Sequence, residues 1–440
     1  MTEDDAIKPH DFSLLLFLTL LNFVNYVDRY LIGSFANWIV PELELSNTEF
    51  GLISGILFIF VYAAGGVFMG TIADRVNRMR FIALGVGFWS ILTAVSGAAR
   101  GFYSLAIPRM LVGVGESVLA PSALSTIGDR FPSKWQGFAV GVFGMGVPLG
   151  AGGSLFVVAY LEPLFGWRGC FYLMGFIGVF LAIIAYIVPE TSRKEIRHSK
   201  DLNISITELF TTILGLLGKS KVLSLTLAGS MVFGLLMGAT TFEQLWFVEE
   251  RGFDRNEIAG ITAWMAISGG LVGNFFGGFG GDLFMRKTGS GRPLFFALVM
   301  LLLAPLLLVY RLIDPSSIWF SIGIFTTFFQ MACFYAPAFA TVQEIVPANQ
   351  RGLTFGFVVL MIQIAGVAIG VTTGGILIDW LTAEGYTNPY TIVLTAYTCI
   401  SFTAIPIFAA AGVSFARERK MVLASNTTTH NYIDKLSDNQ

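Results

Sequence analysis

The chain has 440 residues, 55% of them hydrophobic and 13% charged, with a net charge of -2 and a mean hydropathy of +0.71. Soluble domains carry about 25% charged residues, so this composition excludes an ordinary soluble domain and points to an all-α integral membrane protein. The near-neutral charge gives no basis for a nucleic-acid partner. The three dispersed cysteines, Cys170, Cys333 and Cys399, read as small buried hydrophobes, not a disulfide framework or a metal site.

Runs of about 20 apolar residues predict twelve transmembrane helices. The first six cover 12–38, 48–72, 79–100, 103–128, 135–160 and 167–188. The stretch 189–220 is a polar linker carrying Arg193, Lys194, Arg197, Lys200 and Lys219. Within it, 204–217 suits an amphipathic helix at the lipid surface, a solvated linker being the plainer reading. The remaining six spans cover 221–248, 257–284, 293–312, 315–344, 350–380 and 388–415. The expected organisation is an N-terminal segment 1–11, six-helix bundles at 12–188 and 221–415 joined by the linker, and a tail 416–440. An even number of spans puts both termini on one side. The opposite loops hold only Arg100, Arg168, Arg251, Arg255 and Arg311, and Arg29 and Arg109 lie inside spans, leaving 20 of the 27 basic residues on the side of the termini. The positive-inside rule makes that side cytoplasmic.

Four of these ionisable residues are out of place. Asp28 and Arg29 interrupt the first span, and Arg109 and Glu116 the fourth. Each charge near a bilayer centre costs about 2.5–3.5 kcal/mol on insertion scales, so such residues persist where they face a cavity or one another. Arg109 and Glu116, seven apart, share one helix face. With a rise of about 1.5 Å per residue, Arg29 falls level with Glu116 and Asp28 with Arg109. Protonation of Asp28 would then release Arg109 to bind an anion, with Glu116 as the other candidate proton site. A static pair that locks helix packing is the competing reading. The second half has few such charges. Glu243, near the outer end of the seventh span, is its main candidate, with Asn274, Gln330, Tyr335, Gln363, Thr372 and Thr373 as possible polar lining.

A repeat relates the halves. Gly70-Thr-Ile-Ala-Asp74-Arg75-Val-Asn-Arg78-Met-Arg80 follows the second span, and Gly278-Phe-Gly-Gly-Asp282-Leu-Phe-Met-Arg286 the eighth. Both read G-x-x-x-D with an Arg four residues after the Asp. The first copy matches the G-x-x-x-D-R-x-x-R-x-R loop of the major facilitator superfamily; the second departs from it at Leu283 and Thr288. Gly166-Trp167-Arg168 with Phe171 resembles the G-W-R-x-x-F start of the sixth helix in that family. Arg109 to Gly115 resembles the R-x-x-x-G-x-G of its fourth helix, and Gly146-Val-Pro148 loosely resembles its Gly-Pro fifth-helix motif. Within the family, Asn25-Tyr26-Val27-Asp28-Arg29 and the R-x-x-x-G-x-G-E ending in Glu116 resemble spinster-like transporters; carriers of sugar acids share the first-helix Asp-Arg.

The resemblance implies a major facilitator fold of two pseudo-symmetric bundles and secondary active transport by alternating access. Its coupling ion would be the proton, with Asp28 and Glu116 as proton sites and Arg29, Arg109, Asn25, Tyr26 and Glu243 contributing to substrate binding. Gly70, Asp74, Arg75, Arg78, Arg80, Gly278, Asp282 and Arg286 would form the cytoplasmic gate. The spinster resemblance implies a lysolipid- or sphingosine-phosphate-like anion; the alternatives are a small organic anion such as a sugar acid, or a non-transporting sensor of the same fold. No enzymatic constellation, metal site, cofactor or nucleotide-binding loop is expected. The expected setting is a bacterial inner membrane, and the expected partners are substrate, protons and lipid, with the chain acting as a monomer.

Overall fold

The computed structural model describes residues 9–73, 75–190, 206–347 and 350–418. Eleven helical stretches among them are long and apolar enough to cross a membrane. One of these, Lys134–Ile187, is 54 residues long and contains Gly166 at φ +64°, ψ 167°. That left-handed position suits glycine and breaks the run into two segments, as the predicted division between the fifth and sixth spans requires.

In chain order the helices are α1 (Pro9–Ser34), α2 (Ala36–Glu42), α3 (Asn47–Ser54), α4 (Ile56–Ala73), α5 (Arg78–Ser96), α6 (Phe102–Glu116), α7 (Leu119–Arg130), α8 (Ser133–Gly144), α9 (Gly146–Phe156) and α10 (Glu162–Ile187). Within the linker lies α11 (Ile206–Lys219), and after it come α12 (Lys221–Ala239), α13 (Glu243–Glu249), α14 (Arg255–Phe275), α15 (Gly281–Thr288), α16 (Arg292–Leu312), α17 (Ile318–Ile345), α18 (Arg351–Met361), α19 (Ile369–Ala383) and α20 (Pro389–Phe402). Several predicted spans are therefore pairs of helices. The break before α3 is set by Ser46, whose hydroxyl accepts from Glu49 N while the Glu49 carboxylate accepts from Ser46 N, a reciprocal cap. Asn77 caps α5 with a single bond, its side chain accepting from Arg80 N. Wider helical turns at Val157–Leu161, Phe276–Gly280 and Ile362–Ala368 interrupt three other spans.

The contacts divide the chain into two compact units. The first holds Met1–His198 with Met237–Leu271 and Val367–Thr395. Its interior depends on backbones that pass very close. A Cβ on Gly115 of α6 would lie 2.9 Å from the Trp89 Cβ of α5, and one on Gly150 of α9 would lie 2.5 Å from the Tyr26 Cβ of α1. The glycines of the fourth- and fifth-helix motifs thus draw α5, α6, α9 and α1 together around Asp28. Trp167 and Arg168 donate to the Glu42 carboxylate, and Arg168 also donates to the carbonyls of Gly97 (2.9 Å) and Ala99 (2.6 Å). This fastens the start of α10 to α2 and to the end of α5. On the side of the termini, Arg78 is fully buried and reaches Asp129 (2.6 Å) and Glu190 (2.9 Å).

The second unit holds Ser199–Leu236, Val272–Gly366 and Ala396–Gln440. Phe233, Phe296, Phe334 and Phe408 form its aromatic centre, with ring centroids 5.1–6.3 Å apart, the spacing of favourable edge and tilted pairs. Arg292 joins Asp282 (2.7 Å) to Glu344 (2.6 Å). Glu418 accepts from Ser220 Oγ and, at 3.0 Å, from Val222 N, capping the start of α12 from the far end of the chain.

Close packing at Gly115 makes a direct test. Gly115→Val is expected to lower stability by about 1–3 kcal/mol through overpacking, read as a fall in melting temperature of the detergent-solubilised protein. Gly128→Ala, with open space at that position, is expected to leave the melting temperature within a degree or two.

Candidate functional site

The charged quartet is brought together in the first unit. Asp28 is 2% exposed, Glu116 1% and Arg109 5%. Arg29 donates from Nε (2.9 Å) and Nη2 (2.8 Å) to the same Glu116 oxygen, Oε2. The predicted Arg29–Glu116 pairing is thus present. Its two sides differ: the Arg29 side chain is 12% exposed and the Glu116 side chain 0%. Aromatic rings surround the guanidinium. Its carbon lies 4.2 Å from the Tyr62 centroid, 4.8 Å from Tyr26 and 5.6 Å from Phe58, each within cation–π range. A planar guanidinium suits such a cage better than an ammonium would.

The second predicted pairing is corrected. Arg109 does not bond to the Asp28 carboxylate. Its Nη1 donates to the backbone carbonyl of Asp28 (3.2 Å), its Nη2 donates to that of Arg29, and its guanidinium lies 4.3 Å from the Phe58 ring. A helical carbonyl has a second lone pair free after its helix bond, and Arg109 takes two of these to staple α6 to α1. The Asp28 carboxylate instead accepts from Trp89 Nε1 at 3.1 Å. Protonating Asp28 therefore breaks no Arg109 bond, and the release of Arg109 expected from the sequence has no contact behind it.

Three atoms of the quartet, Asp28 Oδ1, Glu116 Oε1 and Arg109 Nε, have no hydrogen-bond partner, nor does Nδ2 of Asn25 on the same helix as Asp28. Buried polar atoms are paired in roughly 90% of cases or more, so four together mark a place suited to a changing set of partners. Tyr26 stacks on Tyr30, centroids 6.2 Å apart, on the face of α1 that leaves Arg29 accessible. Glu243 is buried at the start of α13. Its neighbour Gln244 donates to Thr262 Oγ1 (3.2 Å) and accepts from Asn37 Nδ2 through its backbone carbonyl (2.9 Å).

The gate residues are placed unevenly. Asp74 lies outside the described residues, and Arg75 and Arg80 are exposed, Arg80 5.5 Å from the Tyr186 ring. Gly70 ends one turn before the α4 terminus and Gly278 lies in the wide turn before α15. Of the first copy, Arg78 carries the described ion pairs; of the second, Asp282 pairs with Arg292, a residue not anticipated, while Arg286 is exposed. Trp89, Phe58 and Tyr62 were also not anticipated. The one signal for them is their place in apolar spans opposite the quartet, which a single sequence does not distinguish from lipid-facing aromatics.

Comparison with known proteins gives a consistent answer. The family model described as Major Facilitator Superfamily matches residues 18–371. The hexuronate transporter of Bacillus subtilis (strain 168) is 27% identical over 375 residues, 83% of this chain and 87% of that protein. The probable sphingolipid transporter spinster homolog 1 of Arabidopsis thaliana is 26% identical over 227 residues, 48% of this chain and 46% of that protein. A crystal structure of a bacterial homolog to the human lysosomal transporter Spinster, inward-facing and unoccupied, has a TM-score of 0.80 at 21% identity, covering 94% of this chain and 99% of that one. At that identity the likeness is one of fold.

The ion pair yields a stability prediction. Removing one partner of a buried pair leaves the other charge uncompensated and costs about 3–5 kcal/mol. Glu116→Leu and Arg29→Met singly are each expected to lower the melting temperature more than the two together. A double variant less stable than both singles, in the same thermal assay, would contradict this.

Proposed function

The chain belongs to the Major Facilitator Superfamily, and from that premise we propose that it is a proton-coupled carrier of an organic anion whose charged group is received by Arg29. It is a multi-pass membrane transporter, not an enzyme. The proposal divides it into six-helix halves at 12–188 and 221–415, with both termini cytoplasmic in a bacterial inner membrane.

One observation carries the reading. The Arg29–Glu116 bridge is reachable only from its cationic side. An incoming anion meets Arg29, while Glu116 behind it has no second donor. A proton on Glu116 weakens its hold on Arg29 and frees the guanidinium for the anion; an anion on Arg29 deprives Glu116 of its counter-charge and favours the proton. The two bindings then strengthen one another by the same factor, as linkage requires. Neither ligand alone leaves the low-dielectric site neutral, so both travel together. Asp28 lies close by with Trp89 as its donor. Arg109 positions α1 by holding its carbonyls.

The aromatic residues around Arg29 favour an amphiphile with an anionic head. Tyr26, Tyr30 and Tyr62 offer apolar faces beside the cation, and a lysolipid- or sphingosine-phosphate-like anion meets both features. The second reading, a small sugar acid, is favoured by the length of the match to a hexuronate transporter, 83% of this chain.

In proteoliposomes, Glu116→Gln is expected to abolish accumulation driven by a pH gradient while substrate binding persists and loses its pH dependence. Undiminished gradient-driven accumulation by the folded variant would refute the coupling scheme. Competition by a graded series of alkyl phosphates separates the substrate readings. An amphiphile site gains about 0.8 kcal/mol per buried CH₂, roughly fourfold in affinity for each. A flat series together with strong competition by glucuronate assigns the sugar acid instead.

A further inference from the structure

A third G-x-x-x-D occurs in the chain: Gly375-Ile-Leu-Ile-Asp379, in α19. We infer that Gly375 and Asp379 form a releasable latch that holds the outer face of the transporter shut by capping α3 from a distance of some three hundred residues in sequence.

The geometry separates two tasks. Gly375 permits approach: a Cβ there would lie 2.2 Å from the Asn47 carbonyl oxygen, and one on Gly51 would lie 2.9 Å from the carbonyl oxygen of Val371. The backbones of α3 and α19 therefore touch directly. One turn later Asp379 uses both carboxylate oxygens. Oδ1 accepts from Asn47 N (3.0 Å) and Nδ2 (2.9 Å), and Oδ2 accepts from Thr48 N (2.7 Å) and Oγ1 (2.6 Å). Tyr390 adds a bond from its hydroxyl to Asn47 Oδ1 (2.8 Å). All these residues belong to the first unit. The first N–H groups of a helix have no partner within it, and a carboxylate there is also favoured by the helix dipole.

A helix capped only by a distant residue would fray whenever that residue left. α3 avoids this because Ser46 and Glu49 already form a local cap, and they serve Glu49 N and Ser46 N, a set that does not overlap with the donors taken by Asp379. The local cap keeps the helix folded in any state; the Asp379 cap exists only when α19 is docked. Releasing it hands two backbone N–H groups to water at the outer surface without unwinding α3. The latch is independent of what the substrate is and of which acid carries the proton.

The test uses the full-length protein in lipid nanodiscs with spin labels at Glu44→Cys and Ala383→Cys, both exposed positions. Cys399 is replaced by Ser, while buried Cys170 and Cys333 remain. Asp379→Asn is expected to raise the ratio of long to short label distances about tenfold, in line with the loss of charge-assisted bonds. Gly375→Leu, which removes the approach rather than the cap, is expected to do the same. Ser46→Ala with Glu49→Gln is expected to lower thermal stability and leave the distances as they are. The latch is overturned if neither Asp379→Asn nor Gly375→Leu lengthens the distances, or if the local-cap variant lengthens them equally. If Asp379→Asn does not fold, Thr48→Ala with Asn47→Ala removes the side-chain donors and must show the same lengthening, or the inference fails.

Discussion

A charge among apolar helices has no water to answer it, so its partner must come from the protein. In this transporter that condition governs the first half. Arg29 is answered by Glu116 and three aromatic faces, Arg109 by carbonyl oxygens of α1, and Asp28 by the indole of Trp89. These partners sit on α1, α4, α5 and α6, and the helices can supply them only because they run unusually close. The glycines at 115 and 150 follow from the charges as much as from packing. Without that proximity the quartet would be four isolated charges, each carrying an insertion penalty of about 2.5–3.5 kcal/mol near the bilayer centre.

Two kinds of contact then divide the structure. Arg78, Arg168 and Arg292 fasten helix ends with bonds to several partners each, and such multidentate contacts are suited to rigid joints. The quartet is different, because it retains oxygens and nitrogens without partners. A fully satisfied network rigidifies; a partly satisfied one is where a new ligand or proton finds something to do. The joints and the site are built from the same residue types, and Glu190 Oε2 in the Arg78 joint also lacks a partner; the site differs in gathering several such atoms on Asp28, Arg109 and Glu116.

The sequence made the spans, the break between the fifth and sixth at Gly166, and the Arg29–Glu116 pair readable, because all three rest on local composition and on helical rise. Amphipathic α11 falls within two residues of the expected 204–217 at each end. What was not readable rests on tertiary accidents of depth and rotation. Arg109 is level with Asp28 as expected, yet its rotation about α6 sends the guanidinium to the backbone. Trp89 acts on a residue 61 positions away, and nothing in an apolar α5 marks one tryptophan as a donor. Asp379 falls at the end of the span expected over 350–380, where nothing in the sequence marks it as the cap of a helix more than three hundred residues earlier. Arg292, which lies outside the repeat, pairs with Asp282, since its position at the start of α16 places it between Asp282 and Glu344.

The cap that Glu418 places on α12 has a bearing on how the chain is made. Val222 and its partner are 196 residues apart, and a ribosome adds about 5–20 residues per second. Once α12 has been synthesised, it waits roughly 10–40 s for the residue that completes its first turn. The bond from Val222 N to Glu418 therefore forms only after residue 418 has been made. Until then Ser220 Oγ serves Leu223 N locally, and Val222 N waits for its distant acceptor.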